Sequence, residues 1–149
     1  MATPFQNEYV KPVDAVLKTS ACRLDGHCMK AYEFDVIEKQ LRVFDQSIPA
    51  CKAYHATWFI AYNGNVPGPT ITHRVGHETF VRYNNKIGSK FFPTNQYPCN
   101  AKGRHGHPLS VHLHGSASLP GYDGWAEDET FTDESKDYVY PNNRATTGW

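Results

Sequence analysis

Nine residues constrain this chain more than any others: His-Pro-Leu-Ser-Val-His-Leu-His-Gly, positions 107 to 115. Leu109, Val111 and Leu113 alternate with Ser110, His112 and His114, which is the period of a half-buried β-strand. The pattern puts an apolar row on one face and two imidazoles side by side on the other. Residues i and i+2 of a strand lie roughly 6.5 to 7 Å apart along the backbone. Two rings at that spacing can converge on one metal ion or reach two adjacent ones. Gly115 follows at once and removes side-chain bulk where the strand should end.

A strand of this kind needs a sheet around it, and the rest of the chain supplies the signals for one. Tyr32, Phe34 and Val36 alternate with Glu33 and Asp35, a second half-buried strand, and a weaker pattern resumes at Leu41 and Val43 after a break near Lys39. Ser47 to Lys52, with Pro49 inside it, reads as a loop. Ala56 to Tyr62 is short and aromatic and stops at the turn Asn63-Gly64-Asn65. Val66-Pro67-Gly68-Pro69 restricts the backbone, Thr70 and Ile71 begin a short strand, and Gly76 marks a turn. Glu78 to Asn84 alternates again. Residues 85 to 106 form a long polar connection, and an acidic stretch from Glu127 leads to a last strand at Tyr138 to Tyr140. The first thirty residues show no sustained periodicity; Val13 to Leu17 amounts to one helical turn at most. They read as an irregular leader, residues 1–30, ahead of a single domain, residues 31–149.

Nine tyrosines, eight phenylalanines, eleven glycines and ten prolines favour strands joined by tight turns over helices. The expected fold is all-β, a Greek-key barrel or sandwich. Formal net charge is zero, so nothing points to nucleic acid as a partner. No apolar run approaches the roughly 20 residues of a membrane span, and the first residues lack the apolar core of a signal peptide. The four cysteines, Cys22, Cys28, Cys51 and Cys99, allow three complete pairings, and sequence does not choose among them. Cys28 follows His27, a combination compatible with a soft metal site. A free or disulfide-bonded thiol in the leader is the simpler reading.

Metal binding is the chemistry that His112 and His114 best support. Neutral imidazole suits copper, zinc, iron and nickel, with copper(II) bound most tightly along the divalent series. His105 and His107 lie just upstream and make a four-histidine zinc site conceivable. Pro108 interrupts the strand, however, and His107 falls on the apolar parity, so both are assigned to the loop. His27, His55, His73 and His77 are given no role. Asp123 sits in an Asp-Gly turn nine residues past His114. Turn chemistry explains it, and a carboxylate that orients a ligand or relays protons is the functional alternative. Glu127, Asp128 and Glu129 read as a solvated face.

In combination these segments resemble a known family. Val66-Pro67-Gly68-Pro69-Thr70-Ile71, Val81-Arg82-Tyr83-Asn84-Asn85, Val111-His112-Leu113-His114-Gly115, Asp123-Gly124-Trp125-Ala126-Glu127-Asp128 and Tyr138-Val139-Tyr140-Pro141-Asn142 follow the order seen in the first cupredoxin (plastocyanin-like) domain of multicopper oxidases. The Asp-Gly-Trp segment is most similar to the bilirubin oxidase and laccase-like phenol oxidase branch. The resemblance implies a cupredoxin-like Greek-key barrel. It also implies a trinuclear copper cluster, with His112 on the type 2 copper, His114 on a type 3 copper and Asp123 in proton delivery. It makes the parent an oxidoreductase that oxidises phenolic or tetrapyrrole-like substrates and reduces dioxygen to water. The other ligands would come from the remaining cupredoxin domains of the parent, often a secreted protein. Only the first of four His-x-His pairs is present, and no cysteine has the His-Cys-His context of a blue-copper site. The chain is therefore expected to be truncated before the second pair, incomplete at its C-terminal strands and inactive alone. The alternative is a noncatalytic β-sandwich module that binds copper or zinc weakly, or a protein partner.

Overall fold

The structure, a computed structural model, describes residues 12–44, 47–88 and 106–144. His105, Cys99 and Trp149 lie outside that set. The described chain is all-β, with two short 3-10 turns at Pro49–Cys51 and Pro120–Tyr122. No helix among the described residues is long and apolar enough to cross a membrane.

Five strands form one mixed sheet: β1 (Thr19–Cys22), β2 (Cys28–Leu41), β3 (Thr57–Tyr62), β4 (Glu78–Lys86) and β5 (Ser135–Tyr140). Strand β2 is its axis. One edge pairs in parallel with β4, from Met29↔Glu78 to Ile37↔Lys86. The opposite edge is shared: β1 takes its first residues, antiparallel from Cys22↔Cys28 to Thr19↔Ala31, and β3 takes its last, from Val36↔Tyr62 to Leu41↔Thr57. Strand β5 closes the far side of β4, antiparallel, from Thr79↔Tyr140 to Asn84↔Ser135.

Alternation in β2 buries Tyr32, Phe34 and Val36, as their spacing predicts. The expected break near Lys39 does not occur, because pairing with Phe59 satisfies the Lys39 backbone while its side chain stays exposed. Val43, expected to continue the strand, lies outside it and is exposed. The described part of the leader, residues 12–30, also carries more structure than its pattern suggests. Strand β1 is exposed throughout, so no hydrophobic period marks it. It is held instead by its ladder to β2 and by a Cys22–Cys28 disulfide across the turn at Gly26. No helical turn forms at Val13 to Leu17; Asp14 bridges Thr70, with Ala15 N–H donating to the Thr70 carbonyl at 2.8 Å. That bridge is all the strand character Thr70 and Ile71 acquire.

The core lies on one face of the sheet and is unusually phenolic. Tyr32, Phe34, Val81, Val111, Tyr138 and Tyr140 are buried together, with Tyr62, Tyr83, Ile71 and Leu109 packed against them. Each fully buried side chain of Val or Phe size contributes about 1.5–3 kcal/mol. A phenol adds ring area but must place its hydroxyl. The Tyr83 and Tyr140 hydroxyls hydrogen-bond to each other, and burial pushes the Tyr140 phenol up to about 12 and Tyr83 further still. Both stay neutral at physiological pH.

The opposite face is solvated and charged. Arg82 and Asp137 are direct cross-strand partners joined by two hydrogen bonds of 2.6 and 2.7 Å. Lys86 Nζ meets Asp35 Oδ2 at 2.9 Å, and Asn84 donates to Glu33 and Asp35. In the acidic stretch, Asp128 pairs with Lys136. These contacts predict acid sensitivity with a definite sign. Hydrogen bonds from Arg82 hold Asp137 below its ordinary value, and those from Asn84 and then Lys86 do the same for Asp35. A depressed carboxyl contributes stability that is present above its unfolded pKa, about 3.9, and is lost as pH falls through the folded value. Urea midpoints should therefore fall below about pH 4, and Asp137→Asn should flatten that decline. An unchanged acid limb in the variant would remove Asp137 as a contributor.

Candidate metal centre

The histidine segment runs beside the sheet rather than within it. Its one backbone bridge is antiparallel, Leu109↔Thr130, with N–H···O distances of 2.9 and 2.8 Å. Beyond Leu109 the expected ladder gives way to other partners. The Val111 N–H donates to the Tyr138 hydroxyl at 3.3 Å, and the Ser110 hydroxyl donates to the Trp125 carbonyl at 2.8 Å. Val111 is buried as the alternation requires. Leu113, expected on the same apolar row, is 44% exposed, because the chain has left the sheet by then and turns at His114-Gly115, where Gly115 has φ +73°.

His112 and His114 both reach solvent, with ring centroids 5.4 Å apart and planes at 81°. His112 Nδ1 lies 2.5 Å from the Asp123 backbone carbonyl and 3.5 Å from Asp123 Oδ1. A carbonyl only accepts, so Nδ1 carries the proton and Nε2 keeps its lone pair on a half-exposed ring. That is how a neighbouring acceptor orients a metal-binding imidazole and fixes its tautomer. The acceptor comes from the loop predicted around Asp123, but through its main chain. Asp123 follows the 3-10 turn Pro120–Tyr122, whose geometry aims that carbonyl. Among the described residues, no three His, Cys, Asp or Glu side chains are grouped to hold a metal ion. The His112–His114 pair alone offers part of a coordination shell.

Three residues that sequence patterning passed over hold this arrangement. Gly124, with φ +74°, sits so close to the segment that a Cβ there would fall 1.9 Å from the Val111 carbonyl oxygen. Asn85, fully buried at the end of β4, donates from Nδ2 to the His107 and Thr130 carbonyls, both at 2.7 Å. Its Oδ1 accepts from Ile87 N–H at 3.0 Å. Thr132 accepts from His107 N–H and donates to the Ile87 carbonyl. His107 lies outside the strands, as its assignment to the loop predicts, and is buried beside these contacts. A dipeptide such as Asp-Gly announces a turn, but not which carbonyl the turn will meet.

A cleft of about 660 Å³ opens beside His112, lined by Phe34, Tyr62, Tyr83, Tyr140 and His73 among others. His73 contacts Thr79 Oγ1 at 2.9 Å and the Asn142 side chain at 3.1 Å, and burial lowers its pKa. Its Nδ1 contacts tie the turn before β4 to Thr79 and Asn142, and its Nε2 is buried without a hydrogen-bond partner.

The fold is a cupredoxin-like half-barrel that sets two imidazoles side by side at its surface. Comparison with known proteins places it further. The sequence model of the multicopper oxidase family matches residues 45–93, which carry β3, the Val66-Pro67 turn and β4; the histidine pair lies downstream. Bilirubin oxidase of Albifimbria verrucaria is 43% identical over 91 residues, 60% of this chain and 13% of that protein. A laccase of Bacillus stratosphericus is 32% identical over 130 residues, 79% of this chain and 24% of the laccase. Among solved structures, a multicopper oxidase from Campylobacter jejuni superposes with a TM-score of 0.58 at 19% identity, covering 88% of this chain and 21% of that one. One from Pediococcus acidilactici gives 0.56 at 16% identity, covering 90% and 23%. The chain is a relative of the multicopper oxidases, as its motifs indicate, and spans less than a quarter of the length of these two curated relatives.

Proposed function

We propose that this chain acts as the copper-binding first cupredoxin domain of a multicopper oxidase. In this reading His112 supplies Nε2 to a type 2 copper and His114 ligates one of the paired type 3 coppers. The observation that carries the proposal is the Nδ1–H hydrogen bond from His112 to the Asp123 carbonyl, which leaves Nε2 as the outward donor. Copper, when bound, would supply one-electron redox chemistry, taking electrons from a donor and passing them to dioxygen for its reduction to water. The chain's own residues hold, orient and protonate. The Asp123 carbonyl fixes the His112 ring, and its partly exposed carboxylate, 3.5 Å from Nδ1, is placed to hold a proton and pass it on. The remaining ligands, and the site where phenolic or tetrapyrrole-like substrates give up electrons, belong to other cupredoxin domains of the parent. The isolated chain is then a copper binder and not an oxidase.

Copper(II) titration followed by electron paramagnetic resonance tests the assignment. His112→Ala and His114→Ala should each weaken uptake by at least about tenfold and reduce the nitrogen hyperfine structure of the spectrum, which the double variant should lose. Asp123→Asn should retain uptake, since the orienting acceptor is the backbone carbonyl. If both alanine variants bind as the parent does, the histidine assignment is wrong. If Asp123→Asn loses binding as they do, the carboxylate is a ligand or holds the ring.

A further inference from the structure

The cleft beside His112 has a composition that the histidine pair does not explain. Its floor is aromatic, and four strands of the sheet each give it one ring: Phe34 of β2, Tyr62 of β3, Tyr83 of β4 and Tyr140 of β5. Phe34 and Tyr83 are register partners whose rings stack with centroids 5.7 Å apart. Tyr62 meets both edge-on, at 6.3 and 5.8 Å. The Tyr83 and Tyr140 hydroxyls are already paired with each other, so the floor calls for an apolar, preferably aromatic, partner.

The rim is cationic. Arg74 and Arg144 both line the cleft and both are exposed. Among the described residues neither has an ion-pair partner, and no Asp or Glu lines the cleft with them. The opposite face of the sheet is built otherwise, with Arg82 on Asp137 and Lys86 on Asp35. The whole chain balances fifteen basic residues against fifteen acidic ones, so a cleft with two guanidiniums and no carboxylate departs from the rest of the surface. Its volume of about 660 Å³ is that of a small-molecule site, and such sites are likewise largely apolar with a few charged groups.

We propose that this cleft binds an aromatic carboxylate, with the ring system on the Phe34, Tyr62 and Tyr83 floor and the carboxylate at Arg74 and Arg144. A planar guanidinium matches a carboxylate in a two-point hydrogen bond, and the missing acid at the rim is what the ligand supplies. The site does not depend on the role assigned to His112 and His114.

Isothermal titration of the full chain with 2-naphthoate in metal-free buffer is the test. One naphthoate should bind per chain, about tenfold more tightly than neutral 2-naphthamide, and added salt should weaken the acid but not the amide. The saturated decalin carboxylate, equal in charge and carbon count, should bind about threefold more weakly than naphthoate. Arg74→Gln and Arg144→Gln should each weaken naphthoate about threefold and leave naphthamide unchanged. Arg23→Gln, which removes a charge outside this cleft, should change neither. Naphthamide bound as tightly as naphthoate overturns the proposal, and is the result expected if a loosened chain merely exposes apolar surface. A decalin acid that binds as well as naphthoate removes the aromatic floor as the determinant. An Arg23→Gln loss equal to those at Arg74 and Arg144 removes the rim.

Discussion

Gly124→Ala is expected to destabilise the fold by about 2–5 kcal/mol, from overpacking at about 1–3 and left-handed backbone at about 1–2. The added methyl would meet the Val111 carbonyl oxygen at 1.9 Å and the His112 nitrogen at 2.9 Å, both main-chain atoms that no rotamer change can move aside. Relief requires the Asp123 loop to lift from the histidine segment. That would break the His112 bond to the Asp123 carbonyl and the Ser110 bond to the Trp125 carbonyl together. Stability and copper uptake should therefore fall in the same variant. Gly26→Ala is the control: its φ is also positive, +85°, but a Cβ there meets nothing within 4 Å. It should cost only the backbone term, about 1–2 kcal/mol, and leave the histidine pair untouched. Urea unfolding by circular dichroism measures both, and equal losses in the two variants would remove the close approach as the cause.

The contrast between these glycines shows what sequence can and cannot carry. Alternation located the buried face of β2 and the strand β4, because burying every second residue leaves a mark at each position. It missed β1, which buries nothing, and it carried the histidine strand too far, because a polar–apolar alternation records exposure and not hydrogen-bond partners. Val111 obeys the pattern although its N–H goes to a tyrosine hydroxyl; Leu113 breaks it although its neighbours fit. The candidate site divides in the same way. His112 and His114 were visible as a pair at a telling spacing, whereas Asp123 read as turn chemistry and gained a role only from the resemblance. That Asp123 would serve His112 through its carbonyl depends on how Pro120–Tyr122 turns, and Gly124 and Asn85 matter through atoms far away in sequence. The Cys22–Cys28 bond, one of six possible pairs among four cysteines, follows from a β1–β2 register that no local pattern announced.

Asn85 carries the longest of those connections, and its replacement should be the most damaging single change after that of Gly124. Its backbone belongs to the ladder region, with N–H on the Glu134 carbonyl and its carbonyl on Asp133 N–H, so substitution leaves the main chain paired. Its side chain has three hydrogen bonds and no exposed surface. Asn85→Leu keeps the volume, orphans the Ile87 N–H and removes one hydrogen bond each from the His107 and Thr130 carbonyls, the latter keeping the Leu109 N–H. A buried group left unsatisfied costs about 1–3 kcal/mol and each lost bond about 0.5–1.5, and the sum is subadditive, so a loss of about 2–4 kcal/mol is expected. Asn85→Asp separates hydrogen bonding from shape. The introduced carboxyl still accepts from Ile87 N–H but, when ionised, sets negative oxygen against two carbonyls. Burial and those carbonyls raise its folded pKa above the unfolded value near 3.9. A raised carboxyl is least harmful below the unfolded pKa and increasingly harmful as pH rises through the folded one. The stability difference between parent and Asn85→Asp should thus widen from pH 4 to pH 7 (acidities chosen about the usual carboxylate range), whereas the Asn85→Leu difference should stay constant. A parallel pH response in both variants would mean that Asn85 fills space and does not bond. If instead the divergence appears and copper uptake weakens with it, the amide at the end of β4 is what keeps His107, and through it the imidazoles at 112 and 114, in register with the sheet.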